Sequence, residues 1–169
     1  MRYAVMSDVH ANPQALERAL ADAREQGCAE FVMLGDATGY GYDVAGALAL
    51  VRANFRRVIM GNHDLKNIRQ GFISRFEHVA MQMHIEVGKQ RIYLCHYPFL
   101  CFEGSYKDVW QLFGHVHTRR NNTGNDAERL QFLYPTQYDV GVDNNNFTPV
   151  SFGQVKRIID KQVEQSKEK

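Results

Sequence analysis

Apolar and polar positions along this chain follow two periods in turn. Tyr3-Ala4-Val5-Met6 is a short apolar run, a strand by length and position. Asn12-Pro13 then reads as a cap and first helical residue, and Ala15, Leu16, Ala19, Leu20 and Ala23 recur at helical spacing until Gly27. Phe31 to Leu34 is a second buried strand, closed by Gly35-Asp36. A glycine-rich loop, Thr38 to Tyr42, leads into a helix of about ten residues that starts from Asp43. Val58-Ile59-Met60 is a third strand, closed by Gly61-Asn62-His63-Asp64. Strands alternating with helices imply crossovers that set successive strands in parallel.

The middle of the chain changes to the strand period. Val79 to Val87 and Arg91 to Cys95 read as strands joined by a Gly88-Lys89-Gln90 turn. Asp108 to Phe113, Gln131 to Tyr134 and Tyr138 to Val142 are further strand candidates, and Asn121 to Glu128 is polar enough for an exposed loop. A final helix begins at a capping box of Ser151 and Gln154, with Val150 and Val155 at the flanking hydrophobic positions. Its polar tail, Lys161 to Lys169, is expected to fray. No repeat or linker interrupts the pattern. A single α/β domain over residues 1–169 accounts for it.

Composition narrows the options. Apolar residues make up 44% and charged residues 23%, an ordinary globular balance. The formal charge is only +1, which offers no overall field for nucleic acid or a membrane surface. No apolar stretch is long enough to span a bilayer, and Ser7-Asp8 interrupts the first apolar run, so neither a membrane segment nor a signal peptide is expected. Cys28, Cys95 and Cys101 have no metal-type spacing and fit reduced thiols in a cytoplasmic protein.

The candidate chemistry lies where the polar residues fall. The strands end at Asp8-Val9-His10, Asp36, Asn62-His63-Asp64, His96 and His115-Val116-His117. In open α/β sheets the strand C-termini converge on one crevice. Residues two apart in extended chain face one side, so Asp8 with His10, and His115 with His117, can each present two ligands. Gly35, Gly61 and Gly114 each precede a candidate ligand and permit close backbone approach. Of seven histidines only His78 and His84 lie elsewhere. Each fragment alone has a plain structural explanation, and for Asp64 a helix cap is the simplest one. Together they supply imidazoles and hard oxygens, which suit Mn, Fe, Zn or Ni better than Ca or Mg.

The ordered series Asp8-x-His10, Gly35-Asp36, Gly61-Asn62-His63-Asp64, His96, Gly114-His115-x-His117 resembles the calcineurin-like metallophosphoesterases. The closing Val140-Gly141-Val142-Asp143 and Pro149-Val150-Ser151 also resemble short bacterial and phage members. The resemblance implies a four-layer α/β/β/α sandwich of two mixed sheets flanked by helices. It implies two divalent transition-metal ions, Mn first among them. Asp8, His10 and His117 would hold one, Asn62, His96 and His115 the other, and Asp36 would bridge them. His63 would be catalytic, protonating the leaving group rather than binding metal. The implied substrate is a small phosphomonoester or a phosphodiester, with Asn62, His63, Tyr40 and Arg119 contacting it.

Two departures shape the expectation. Protein phosphatases of this superfamily carry an Asp-Arg pair three residues after Gly-Asp, where this chain has Gly39-Tyr40. The usual glycine after the first histidine is Ala11, a change expected to leave the turn intact. An uncapped site rimmed by Tyr40, Tyr42, Tyr97, Phe99 and Arg119 follows. The alternative is a protein-interaction scaffold on the same fold, disfavoured because every ligand and His63 are present. Arg56-Arg57 and Arg119-Arg120 are read as solvated faces rather than a nucleic-acid surface.

Overall fold

The computed structural model describes residues 2–65, 76, 78–118 and 127–168. Its strands are β1 (Tyr3–Met6), β2 (Glu30–Met33), β3 (Arg57–Ile59), β4 (His78–Ala80), β5 (Gln82–Val87), β6 (Gln90–Cys95), β7 (Trp110–Phe113) and β8 (Gln137–Asp139). The helices are α1 (Pro13–Glu25), α2 (Val44–Asn54), the single turn α3 (Asn62–Leu65) and α4 (Phe152–Lys167).

Two four-stranded sheets form, in the orders β1-β2-β3-β4 and β5-β6-β7-β8. Only one of the two sheets is mixed, where two were expected: the first is parallel throughout, because its strands are joined by crossovers, and the second has β5 antiparallel to its neighbour. Val32, Leu34 and Ile59 of the first sheet meet Ile85, Ile92, Leu94 and Leu112 of the second in the central core. Helix α4 adds Val155 and Ile159 to that core. Leu16 and Leu20 of α1 and Val51 of α2 cover the other face of the first sheet over Met33 and Val58. The far face of the second sheet is covered by chain from the 97–109 and 134 regions, where Phe102, Val109 and Tyr134 pack on Tyr93 and Cys95. Buried Gln111 ties that cover down by accepting from Phe99 N–H and donating to the Tyr97 carbonyl, so burial leaves no amide unsatisfied.

Helix starts follow the sequence signals. Asn12 accepts from Ala15 N–H at 3.0 Å and Asp43 from Gly46 N–H at 2.7 Å. The Ser151–Gln154 capping box closes in both directions. Helix α4 runs to Lys167, through most of the tail expected to fray. Gln162 donates to the carbonyls of Pro135 and Gln137, and Val163 packs on the central core.

Three strand expectations need correction. Val79 to Val87 is not one strand: it passes from the first sheet to the second at Met81, and two extended segments in series keep a period of two across the switch. Gln131 to Tyr134 is not a strand either: Gln131 and Phe132 end a 3-10 helix, Ala127–Phe132, and Leu133-Tyr134 follow it, because a short apolar run does not distinguish the two by period. The strand expected to reach Val142 ends at Asp139, whose own carboxylate takes the Gly141 N–H at 2.7 Å. Of the loop expected over 121–128, residues 121–126 lie outside the described residues.

Candidate metal centre

The parallel strands β1, β2 and β3 run the same way, so their C-terminal loops meet at one edge of the sandwich. These loops bond to one another: Asp8 N–H donates to Gly35 O at 3.1 Å, His10 N–H to Asp36 O at 3.0 Å, and Gly114 N–H to His96 O at 3.1 Å. Five of the seven proposed ligands sit at positive φ, namely Asp8 (56°), His10 (48°), Asp36 (53°), His115 (66°) and His117 (47°). Ala11 joins them at φ 57°. Left-handed backbone costs a non-glycine residue about 1–2 kcal/mol, and it persists where surrounding bonds impose it. Here the cross-loop ladder imposes it, and the result is side chains turned to a common point.

Two donor groups form there. In the first, Asp8 Oδ1 lies 3.6 Å from His10 Nε2 and 3.8 Å from His117 Nε2. In the second, His96 Nε2 lies 3.3 Å from Asp36 Oδ2 and 3.3 Å from Asn62 Oδ1, and Asn62 Oδ1 lies 3.0 Å from His115 Nδ1. Asp36 also groups with His10 and His63, with ligand atoms all within 4.8 Å of one another. Asp36 therefore stands between the two groups.

The outer nitrogens of the imidazoles are already engaged. His10 Nδ1 faces the Thr38 carbonyl at 3.2 Å, His96 Nδ1 the Leu34 carbonyl at 2.9 Å, and His117 Nδ1 the Asp143 carboxylate at 2.8 Å. Each acceptor fixes the proton on Nδ1 and leaves the Nε2 lone pair pointing inward, the arrangement a metal-binding histidine requires. Buried Asp8 Oδ1 and His10 Nε2 have no hydrogen-bond partner among the described residues. An unmatched buried polar atom costs about 1–3 kcal/mol, and a cation between these two would satisfy both. The donor set fits a divalent metal.

Electrostatics point the same way. Burial pushes the Asp8 carboxyl up, yet the neighbouring His10 and His96 imidazoles outweigh it and hold Asp8 below the usual carboxylate range. Asp36 is likewise lowered against its burial, by the bond and charge of His96 and by the His63 N–H. Burial opposes charge on His10 and His96 too, but Asp8 and Asp36 respectively raise them above the ordinary imidazole value.

The geometry also assigns tasks that sequence reasoning missed. Buried Asp64 does reach back to Gly61 N–H (3.1 Å), as a helix cap would, but it also accepts from Asp36 N–H (2.8 Å) and Ala37 N–H (3.1 Å). It thereby clamps the Asp36 loop to the Asn62–His63 turn. Burial and the Asp36 charge raise its carboxyl against the lowering effect of its backbone hydrogen bonds. Asp139 accepts from the N–H and hydroxyl of Thr118, holding the loop that carries His115 and His117. Burial raises Asp139 as well. Asp139 is the last residue of β8 and Asp143 follows shortly after it, so the strand-end rule that found the other residues applies to them.

At the rim, Tyr40 is 83% exposed, its ring 4.9 Å from His63 and 5.2 Å from His10. Tyr97 lies over His96 and His115 at 5.0 and 4.7 Å. Tyr42 is turned to the side chain of Gln14 on α1. Phe99 is no rim residue: it packs on Tyr93 at the far face of the second sheet. Arg119 lies outside the described residues.

This fold and this gathering of His, Asp and Asn define a class. The chain belongs to the calcineurin-like phosphoesterase superfamily, whose domain model matches residues 1–137. It is 38% identical over 141 residues to MJ0912, an uncharacterized protein of Methanocaldococcus jannaschii, across 80% of this chain and 55% of that protein. The chain thus spans about half the length of this curated relative. Among solved structures it is similar to YfcE, a phosphoesterase from E. coli, with TM-score 0.55 and 23% identity over 72% of this chain and 75% of that one. It is also similar to AQ665, a protein of unknown function from Aquifex aeolicus, with TM-score 0.55 and 22% identity over 94% of this chain and 97% of that one. At such identities these two structures bear on the fold alone. No helix among the described residues is long and apolar enough to cross a membrane.

Proposed function

We propose that this chain is a metal-dependent phosphoester hydrolase using a pair of divalent transition-metal ions. Asp8, His10 and His117 would hold one ion, Asn62, His96 and His115 the other, and Asp36 would serve both. The observation that carries this reading is the position of Asp36 between the two donor groups. Mn is the first ion to try, with Fe, Zn and Ni suited to the same donors. A metal pair supplies positive charge against the phosphoryl oxygens and water acidified for in-line attack.

The side chains do the rest. Asn62 and His63 sit on one turn, and the His63 N–H donates to Asp36 Oδ1 at 2.9 Å, which fixes that turn beside the shared carboxylate. The His63 ring, 5.3 Å from that of His10, protonates the departing ester oxygen as the water oxygen bonds to phosphorus. Tyr40 meets the His63 ring edge-on and gives the leaving group an apolar surface. Substrates are phosphodiesters or small phosphomonoesters.

Metal analysis of purified protein, followed by turnover on a panel of mono- and diesters with Mn added, tests the reading. Asp36→Asn should lower bound metal and abolish turnover together. His63→Ala should retain metal and lose turnover mainly on esters with poor leaving groups. Equal loss on activated and unactivated esters would remove the acid role, and loss of metal would make His63 a ligand. Bound metal without turnover on any ester would favour the scaffold alternative.

A further inference from the structure

The second sheet ends in β5, and no strand among the described residues pairs with its outer edge. β5 has six residues, whereas the other edge strands, β1, β4 and β8, have three or four. Proteins blunt exposed edges with short strands, lysine, proline or bulges. Gln82-Met83-His84-Ile85-Glu86-Val87 contains none of these residues, and its register with β6 is unbroken.

The hairpin decides which backbone groups lie open. β5 and β6 join through Gly88-Lys89, with Gly88 at φ 63° as the first turn residue, so Val87 and Gln90 are the closing pair. A two-residue hairpin closes on a hydrogen-bonded pair, and the antiparallel ladder alternates from there. Val87, Ile85 and Met83 therefore direct their N–H and C=O groups to β6. Gln82, His84 and Glu86 direct theirs to the open edge. An open cavity of about 830 Å³ adjoins this strand, lined by Gln82 to Glu86 together with Tyr3, Arg57 and His78.

We propose that β5 docks on β5 of a second copy of this chain, antiparallel, about a two-fold axis through Ile85. In this register His84 faces the second copy's Glu86. Both are open-edge residues, so each such pair exchanges two backbone hydrogen bonds. On the outer face an imidazole meets a carboxylate, and symmetry repeats the pair. The His84 ring is already held outward, 4.7 Å from that of Tyr93. On the inner face Ile85 meets itself and Met83 meets the second copy's Val87. All three belong to or pack on the central core, so the core continues across the axis. The neighbouring symmetric register sets His84 against itself and Gln82 against Glu86, losing both imidazole–carboxylate pairs.

Analytical ultracentrifugation of the full metal-loaded chain at tens of micromolar tests this. The expected species has twice the 19.4 kDa chain mass. His84→Pro removes an open-edge N–H that β6 does not use, and should give a monomer with unchanged circular dichroism and metal content. Glu86→Lys removes the carboxylate that faces His84 in both symmetric pairs and sets an ammonium group in its place, and should weaken association by roughly tenfold or more. The exchange His84→Glu with Glu86→Lys should restore it. A wild-type monomer, or a dimer that His84→Pro leaves intact, overturns the proposal. If His84→Pro fails to fold, the charge series decides, and an unaltered dissociation constant in Glu86→Lys overturns it equally.

Discussion

Asp143 accepts from His117 at 2.8 Å, which fixes the imidazole tautomer whose Nε2 faces Asp8. A carboxylate behind a metal-binding histidine raises its basicity and holds its orientation, and removing such partners costs about 10–100-fold in metal affinity or activity. Asp143→Ala should weaken the first metal site by roughly that factor. The second site, built from Asn62, His96 and His115, should be unaffected. Titration calorimetry on metal-stripped protein would resolve the two sites, and equal weakening of both would contradict this division.

Asp64 has a different weight. Its carboxylate satisfies three buried N–H groups, on Gly61, Asp36 and Ala37. Leaving them unmatched costs about 1–3 kcal/mol each, with partial recovery by water. Asp64→Ala should therefore destabilise the protein by about 3–5 kcal/mol and loosen Asp36 as well. Asp64→Asn should fall between, since one of its two terminal atoms becomes a donor facing another donor. Chemical denaturation of metal-free protein measures this, and a change under about 0.5 kcal/mol would refute the clamp.

Much of this was legible in the sequence because the relevant signals are local. The runs at Tyr3–Met6 and Phe31–Leu34, the Asn12-Pro13 start and the Ser151–Gln154 box each act within a few residues. The seven proposed ligands were legible for the same reason, as polar groups placed directly after apolar strands. What escaped depends on contacts between distant segments. Nothing near Met81 marks the passage from one sheet to the other, since no glycine or proline adjoins it. Asp64 resembles any first-turn acid until the Asp36 loop arrives from 28 residues away. Phe99 was placed at the rim because an aromatic near His96 fits either face, and the Gln111 side chain that turns it away lies on another strand.

Gly114 offers a steric test of the close approach in the first donor group. A Cβ there would stand 2.2 Å from Asp8 Oδ2 and 2.3 Å from Ser7 Oγ, distances no relaxed structure keeps. The Asp8 carboxylate also accepts from His115 N–H at 3.3 Å, so pushing it away disturbs both sides of the 115–117 loop. Gly114→Ala should reduce bound metal below that of wild type while retaining most secondary structure. Normal metal content and full activity in this variant would show that the loop has room the geometry denies it.

Proton and metal compete for the same pairs, which gives stability a pH dependence that reverses on metal loading. In metal-free protein His10 and His96 are raised above 6.5 by Asp8 and Asp36, so their contribution is complete below 6.5 and is lost as pH rises through the raised values. Asp8 and Asp36 are lowered below 3.8, so theirs is complete above 3.8 and is lost as pH falls through the lowered values. The metal-free form should thus gain most from these pairs between 3.8 and 6.5. A metal ion must displace the imidazole protons, so each one displaced makes affinity climb about tenfold per pH unit below the raised values. Melting temperatures with chelator and with Mn should lie close together in mild acid and separate progressively above it. Calorimetry in buffers of different ionisation enthalpy should count at least two protons released, those of His10 and His96, near the lower end of that range. A metal affinity that stayed flat across it would mean that His10 and His96 hold no proton for the metal to displace.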